Sequence, residues 1–226
     1  MQNKKSSDLP TVVKSNTIIE AKYKLSTLQQ KFILFMATQI RPENQDFDFH
    51  EVRISDFIKA LNLGGKRSGS AYERIIEMAK DLNNRPLIIQ EKGRKAPLFI
   101  NWVASINPLP TMGIIEFEFS KRLKKYLLQL KENFTKYRFD EIIPLKSSYS
   151  IRIYEILKSH QWKNKNFEIG LLSLREMLGI EENEYKDYYD FKKRVILSSQ
   201  KELKKKTSIQ FDFEEIAGGK GKKITK

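Results

Sequence analysis

The chain contains no cysteine. Disulfides, a thiol nucleophile and a zinc–thiolate centre are therefore excluded, and the composition fits a reducing cytoplasm. Histidine is almost as scarce. His50 and His160 stand apart, in no HxH or HxxxH pair, so a metal-dependent nuclease or relaxase centre has no ligand set. No apolar run approaches the roughly 18 residues that a membrane-spanning helix needs. The opening MQNKKSSDLP is polar, shows no signal-peptide pattern and reads as a mobile arm. Acidic residues are also in deficit: 28 Asp and Glu face 42 Lys and Arg, giving a formal net charge of +14 at pH 7 and a pI near 9.7. Such an excess implies an acidic partner, nucleic acid first and an anionic membrane surface second. At 226 residues and 40% hydrophobic, the chain can build one large core or two small ones.

The positive charge is most ordered in Asp190 to Lys206, DFKKRVILSSQKELKKK. Wound as a helix, Phe191, Val195, Ser199 and Leu203 fall on one stripe with Ile196 beside it. Lys193, Arg194, Leu197, Lys201, Lys204 and Lys205 fall on the other side. Only Glu202 is acidic between Lys192 and Lys206. A solvated, lysine-rich surface helix would look similar, but this one is bracketed by a short capped helix and by a β run, Thr207 to Phe213, leading to a glycine–lysine tip. Helix, helix and basic-tipped hairpin is the order of a winged helix, whose second helix enters the major groove.

The same order appears earlier. Ser26 and Gln29 form a capping box for a helix over 26–40, with Phe32, Ile33, Met36 and Ile40 at helical spacing. FDFHEVRI alternates as a strand. Ser55 is placed to cap a short helix holding Phe57, Ile58 and Leu61, ended by Gly64 and Gly65. A second helix starts near Ser70, with Ala71, Ile75, Met78 and Leu82 on one stripe. PLIIQ and LFINWVASI flank the tip EKGRK as a hairpin, GIIEFEF is a further strand, and Ser120 opens a helix KRLKKYLLQL. After Asn133 a second pass begins: a helix from Ser147 to Gln161, a short strand region NFEIGLL, and a capping box of Ser173 and Glu176 opening SLREMLGI. The basic helix, the strand TSIQFDF and the tip AGGKGKK complete it. The passes align at an offset of about 120 residues, which points to internal duplication. The expected fold is α+β, two tandem winged helices over residues 1–134 and 135–226.

Three segments carry a family resemblance. VVKSNTIIEAKYKLSTLQQKFILFMATQI resembles the opening of the iteron-binding plasmid replication initiators. YRFDEIIPLKSSYSIRIYEILKSHQ resembles the opening of their second domain, and Phe191 through Lys223 their DNA-reading helix and wing. The most specific pieces are Lys14-Ser15-Asn16, Leu25-Ser26 and Ser150-Ile151-Arg152-Ile153-Tyr154-Glu155. The resemblance implies tandem winged helices that bind directly repeated origin DNA in the bacterial cytoplasm and start plasmid replication. It also implies monomers at the repeats and a homodimer that represses its own promoter, recruitment of host replication proteins, and no enzymatic activity. The family's last wing has a return strand after its glycine–basic turn, whereas here the sequence stops at Lys226, which leaves strand pairing in that wing open.

Lysine and arginine neutralise phosphates and supply affinity, while sequence is read on base edges. Arg194 is suited to fork onto a guanine, with Ser198 and Lys201 beside it. Leu197 contacts either a thymine methyl or a neighbouring side chain. Lys204, Lys205 and the wing cations Lys220, Lys222 and Lys223 complete the second-domain set. The first-domain helix carries Glu73, Glu77 and Asp81 outward, which repel phosphate. Its contacts are expected instead from Lys66, Arg67 and Ser68, from Arg74, and from Lys92, Arg94 and Lys95 on the wing. The second domain thus reads bases, and the first grips phosphate or pairs with another protomer. A phosphate loop in GGKRSGSA fails on Ser70, which stands where the lysine belongs. No tyrosine sits with a histidine–arginine set for strand transfer. No cofactor or metal is expected. A winged-helix transcriptional regulator is the alternative, and a nicking or strand-transfer enzyme the more distant one.

Overall fold

The computed structural model describes residues 10–41, 45–47, 49–63, 68–91, 93–161 and 166–216. Strand β1 (Thr11–Ser15) opens the fold. Ser15 then caps the short helix α1 (Asn16–Glu20) by accepting the Thr17 amide. β1 pairs antiparallel with β7 (Phe134–Arg138), Thr11 opposite Arg138 through Ser15 opposite Phe134. The start of the chain is thereby fastened to the point where the second pass begins.

Helix α2 (Thr27–Ala37) has the expected reciprocal capping box: Ser26 Oγ accepts the Gln29 amide and Gln29 Oε1 accepts the Ser26 amide. Strand β2 (His50–Arg53) leads straight into α3 (Ile54–Ala60). Ser55 lies inside α3 instead of capping it, because the helix starts on Ile54, which is fully buried. Helix α4 (Ser68–Leu82) buries Ile75, Met78 and Leu82 as its spacing requires. The return segment of the hairpin divides. β3 (Leu87–Ile89) pairs with β4 (Leu98–Ile100), after which the chain turns through the buried Trp102. β5 (Val103–Leu109) then joins a separate sheet, β2-β6-β5, with β6 (Ile114–Phe119) at its centre.

The helix expected from Ser120 shrinks to a 3-10 turn (Lys121–Leu123) and one turn, α5 (Lys124–Leu127). Tyr126, Leu127 and Leu128 are all buried. Three consecutive buried residues cannot share one helix face, and the chain leaves the helix through Gln129 at φ +51°.

In the second pass, Ser147 caps α6 (Ser148–His160). NFEIGLL is not a strand: 166–170 is irregular and Gly170 starts α7 (Leu171–Met177). Ser173 and Glu176 therefore lie within a helix that has no side-chain cap. TSIQFDF is not a strand either, since the described residues offer it no partner strand. It packs along the preceding helix, with Ile209 buried, Gln200 donating to the Phe211 carbonyl, and Ser208 bonded to Glu141.

The basic helix is continuous but not uniform. α8 (Tyr188–Phe191) passes through a π segment (Lys192–Leu197) into α9 (Ser198–Lys206). In an α-helix, residues four apart drift by about 40°, so three steps would carry Leu203 about 120° from Phe191. Yet Phe191, Val195, Ser199 and Leu203 are all 0% exposed. The wider i→i+5 winding of the π segment keeps a strict four-residue spacing on one face.

One hydrophobic cluster runs through both passes, and a buried polar cluster ties them together. Arg152, on α6, donates to the carbonyls of Ile19 at 2.7 Å, Ala21 at 2.9 Å and Met177 at 2.8 Å. Beside it Gly179 adopts φ +66°, and a Cβ there would lie 2.7 Å from the Tyr23 carbonyl carbon and closer still to its oxygen. Left-handed strain and overpacking against backbone make Gly179→Ala costly, about 3 kcal/mol in total. Gly93 has φ +81°, but a Cβ there would meet nothing within 4 Å, so Gly93→Ala isolates the strain alone. Thermal melts are expected to show a much larger drop for Gly179→Ala; equal drops would contradict the close approach.

Candidate nucleic-acid interface

The outward side of α8, the π segment and α9 presents the residues that the pattern selected. Lys193, Arg194, Ser198, Lys201, Lys204 and Lys205 are exposed, and Leu197 is 40% exposed among them. Leu197 thus leaves apolar surface open on this face. Lys201, Lys204 and Lys205 have no ion-pair partner among the described residues. Arg194 does have one: its Nε lies 3.3 Å from Asp190 Oδ1, one turn back. That pair is exposed at both ends, so it holds the guanidinium weakly and orients it along the helix. Lys193 stands 5.7 Å from the centroid of the Tyr189 ring, itself 66% exposed. The cations at the two margins turn back to the protein: Lys192 pairs with Glu215 at 2.5 Å, and Lys206 bonds Glu202 and the Pro144 carbonyl.

The face is held rigidly from behind. Ser199 Oγ meets Ser150 Oγ at 3.3 Å where α9 crosses α6. Glu202 accepts the amides of Lys146 and Ser147, which satisfies open donors at the start of α6. Burial opposes ionisation of Glu202, but Lys206 and these donors outweigh it and hold the carboxyl below its ordinary range. Arg175 donates to the carbonyls of Glu184 and Tyr185 and lies 5.3 Å from the Phe191 ring, bracing α7 against α8. The sequence marked Glu202 only as the one acid in a basic run. Its capping role depends on α6, 55 residues away.

The first pass presents a different surface. Glu73, Glu77 and Lys80 are exposed on α4, while Asp81 accepts from Gln29 Nε2 and from Arg85 Nε, each at 3.0 Å. Arg74 is also exposed, and with Glu77, Arg85, Ser148 and Tyr149 it lines a cleft of about 570 Å³ at the junction of the two passes. On the β3–β4 hairpin Lys95 is exposed and Arg94 lies 3.7 Å from Glu91. Glu91 also receives Lys125 and the Tyr126 hydroxyl, the latter at 2.6 Å. Lys66, Arg67, Lys92, Lys220, Lys222 and Lys223 lie outside the described residues, as does the side chain of Ser68 at the first turn of α4. Among the described residues no three acidic or histidine side chains gather as a metal site.

The electrostatics of the junction bear on how firmly the two surfaces are related. Glu155 is 1% exposed, with Lys14 Nζ at 2.5 Å, Arg152 Nη1 at 3.3 Å and the Tyr137 hydroxyl donating to it. Burial alone would raise the Glu155 carboxyl, but the two cations prevail and hold it below its ordinary 4.5. Burial also lowers the Lys14 ammonium, which the attraction to Glu155 only partly offsets. A carboxyl held low in the folded state stabilises fully above its unfolded value and loses that contribution as pH falls through the folded value. Denaturation monitored by circular dichroism is therefore expected to show stability level near neutrality and falling below about pH 4.5. Glu155→Gln should be costly at neutral pH and progressively less so in acid; a pH-independent difference would contradict this.

Residues 11–158 match the family described as Initiator Replication protein, WH1, and residues 171–226 match Initiator Rep protein, WH2. The PI protein of Escherichia coli is 30% identical over 187 residues, covering 74% of this chain and 60% of that protein. A replication initiation protein of Escherichia coli is 26% identical over 190 residues, covering 80% of this chain and 57% of that protein. The chain thus spans about three-fifths of the length of these relatives. Among solved structures, the Pi initiator protein in complex with iteron DNA superposes with a TM-score of 0.75 at 20% identity, over 99% of this chain and 96% of that one. The architecture is that of two tandem winged helices.

Proposed function

The chain belongs to the initiator replication protein family, with its WH1 and WH2 domains, and from that premise we propose that it is a sequence-specific, double-stranded-DNA-binding initiator acting on direct repeats at a plasmid origin. The observation that carries the reading is the exposed face of α8–α9, cationic, backed by a fully buried stripe and centred on an exposed leucine. A solvated surface helix has no need of the buried capping and bracing that fix this one. The superposition on an initiator solved with iteron DNA supports the same reading. The second winged helix, within 135–226, reads bases through Arg194, Leu197, Ser198 and Lys201, and Lys193, Lys204 and Lys205 grip phosphate. The first, within 1–134, contributes Arg94 and Lys95, together with Lys66, Arg67, Ser68 and Lys92. Arg74, exposed beside the cleft, adds a further phosphate contact. Two such units on one face of the duplex address successive major grooves about 34 Å apart.

The proposal extends to a homodimer that represses the protein's own promoter, and to recruitment of host replication proteins in a bacterial cytoplasm, without catalysis. Footprinting on DNA flanking the gene tests it. Protection of several direct repeats at constant spacing is the expected result. A single symmetric footprint over the promoter would replace it with the regulator, and nicking of supercoiled origin DNA with magnesium would overturn the non-enzymatic reading. Arg194→Ala is expected to cost about 1–3 kcal/mol on the specific site and to relax specificity at one base pair. Equal losses on specific and random duplexes in a gel-shift titration would remove Arg194 from the reading set.

A further inference from the structure

The junction between the two winged helices encloses a small cavity lined by Lys14, Tyr23, Gln30, Trp102 and Glu155, with Leu25, Ile33 and Leu34 closing it. Two of its lining groups, Gln30 Oε1 and Trp102 Nε1, are buried without a hydrogen-bond partner among the protein groups. Their chemistry is complementary: the indole N–H only donates and the amide oxygen only accepts. Neither can turn away to satisfy itself. Gln30 Nε2 donates to the Leu25 carbonyl at 3.1 Å and to the Ser148 carbonyl at 3.3 Å, which fixes the amide with its oxygen on the other side. The Trp102 ring is set edge-on to Tyr23 with centroids 5.0 Å apart, and the residue is 2% exposed.

The space open to the centre of a water-sized sphere is about 10 Å³, close to the volume one water requires. A buried water is retained where it finds two to four polar partners, and this wall offers them. We infer that the cavity is a structural water site, in which one molecule accepts from the Trp102 indole and donates to Gln30 Oε1. Its remaining valences face the Lys14–Glu155 pair and the Tyr23 hydroxyl. Polyatomic ligands are excluded by the volume. The site joins residues of the first winged helix, Gln30, Trp102 and Lys14 of β1, to Glu155 reaching in from α6, so the water is part of the contact that sets the two DNA-binding units relative to each other.

The test is water-selective NMR on the full chain labelled with ¹⁵N-tryptophan. Trp162→Phe leaves a single indole signal, and Trp102→Phe removes that one if an independent assignment is wanted. The expected result is a cross-peak between the Trp102 Nε1 proton and water with the sign of a molecule held longer than the protein tumbles. A crystal structure should show one density peak within hydrogen-bonding distance of both Gln30 Oε1 and Trp102 Nε1. An assigned indole proton with no such cross-peak would overturn the inference. So would density in which the amide oxygen and the indole nitrogen bond each other directly.

Discussion

Replacing Arg152 by alanine is expected to lower the stability of the protein by about 3–5 kcal/mol, enough to unfold a large fraction of molecules at 37 °C. Arg152 is 1% exposed and joins three separate parts of the chain. Its guanidinium donates to three backbone carbonyls, bonds the Tyr23 hydroxyl, lies 3.8 Å from the Tyr23 ring and approaches Glu155 at 3.3 Å. The ion pair by itself is a weak argument for stability, because desolvation cancels much of the attraction. The cost of the substitution comes from what it leaves behind: the carbonyls of Ile19, Ala21 and Met177 without their donor, and Glu155 with Lys14 as its only remaining cation. Arg152→Lys should recover little of this, since an ammonium on a linear stem cannot reach carbonyls that a planar fork spans. Urea denaturation followed by circular dichroism measures the loss. A change below about 1 kcal/mol for Arg152→Ala would mean that the junction is held by apolar packing alone.

The second large effect concerns binding. Substituting Lys193, Lys204 and Lys205 together by alanine should leave the fold intact, because all three are exposed and have no ion-pair partner among the described residues. If each neutralises one phosphate, the slope of log affinity against log salt falls by roughly 2.7 in magnitude, and affinity near 0.15 M salt falls by roughly 100-fold. The loss should be similar on specific and random duplexes, since phosphate contacts carry no sequence information. Fluorescence anisotropy over a salt series reads both quantities. An unchanged slope would place these lysines away from the backbone and undo the assignment of the face.

How much of this was legible in the sequence depended on whether the determining contacts were local. The Ser26–Gln29 capping box and the stripe from Phe191 to Leu203 are satisfied within one or two turns, and the structure contains both. Ser173 and Glu176 show the limit of the same rule: they have the spacing of a capping box, but Leu171 and Leu172 already belong to the helix. β1 and β7 escaped notice because their register couples residues more than a hundred positions apart, with only short runs on either side. The π segment was hidden for a different reason. A strict spacing of four looks helical over two steps and departs from α geometry only over the third. Lys14 and the run around Arg152 were recognisable as the most distinctive pieces of the resemblance. Their role was not, since Arg152 finds Ile19, Ala21 and Tyr23 from about 130 residues away. On the first wing and its helix, the sequence correctly set Glu73 and Glu77 outward. It had no means of seeing that Arg74 and Glu77 would line a cleft with Ser148 and Tyr149 of the second pass.

The central claim is that the face of α8–α9 lies in the groove of the bound DNA, and the absence of cysteine allows a direct measurement. Ser198→Cys introduces a single thiol at the middle of the face, where the side chain is exposed, and Glu73→Cys places one on the outer side of α4 for comparison. Each is coupled to a photo-cross-linker and bound to the footprinted repeat. Cross-links from position 198 to bases in one major groove of each repeat, with few or none from position 73, are the predicted result. Cross-links from position 73 with none from position 198 would contradict the account.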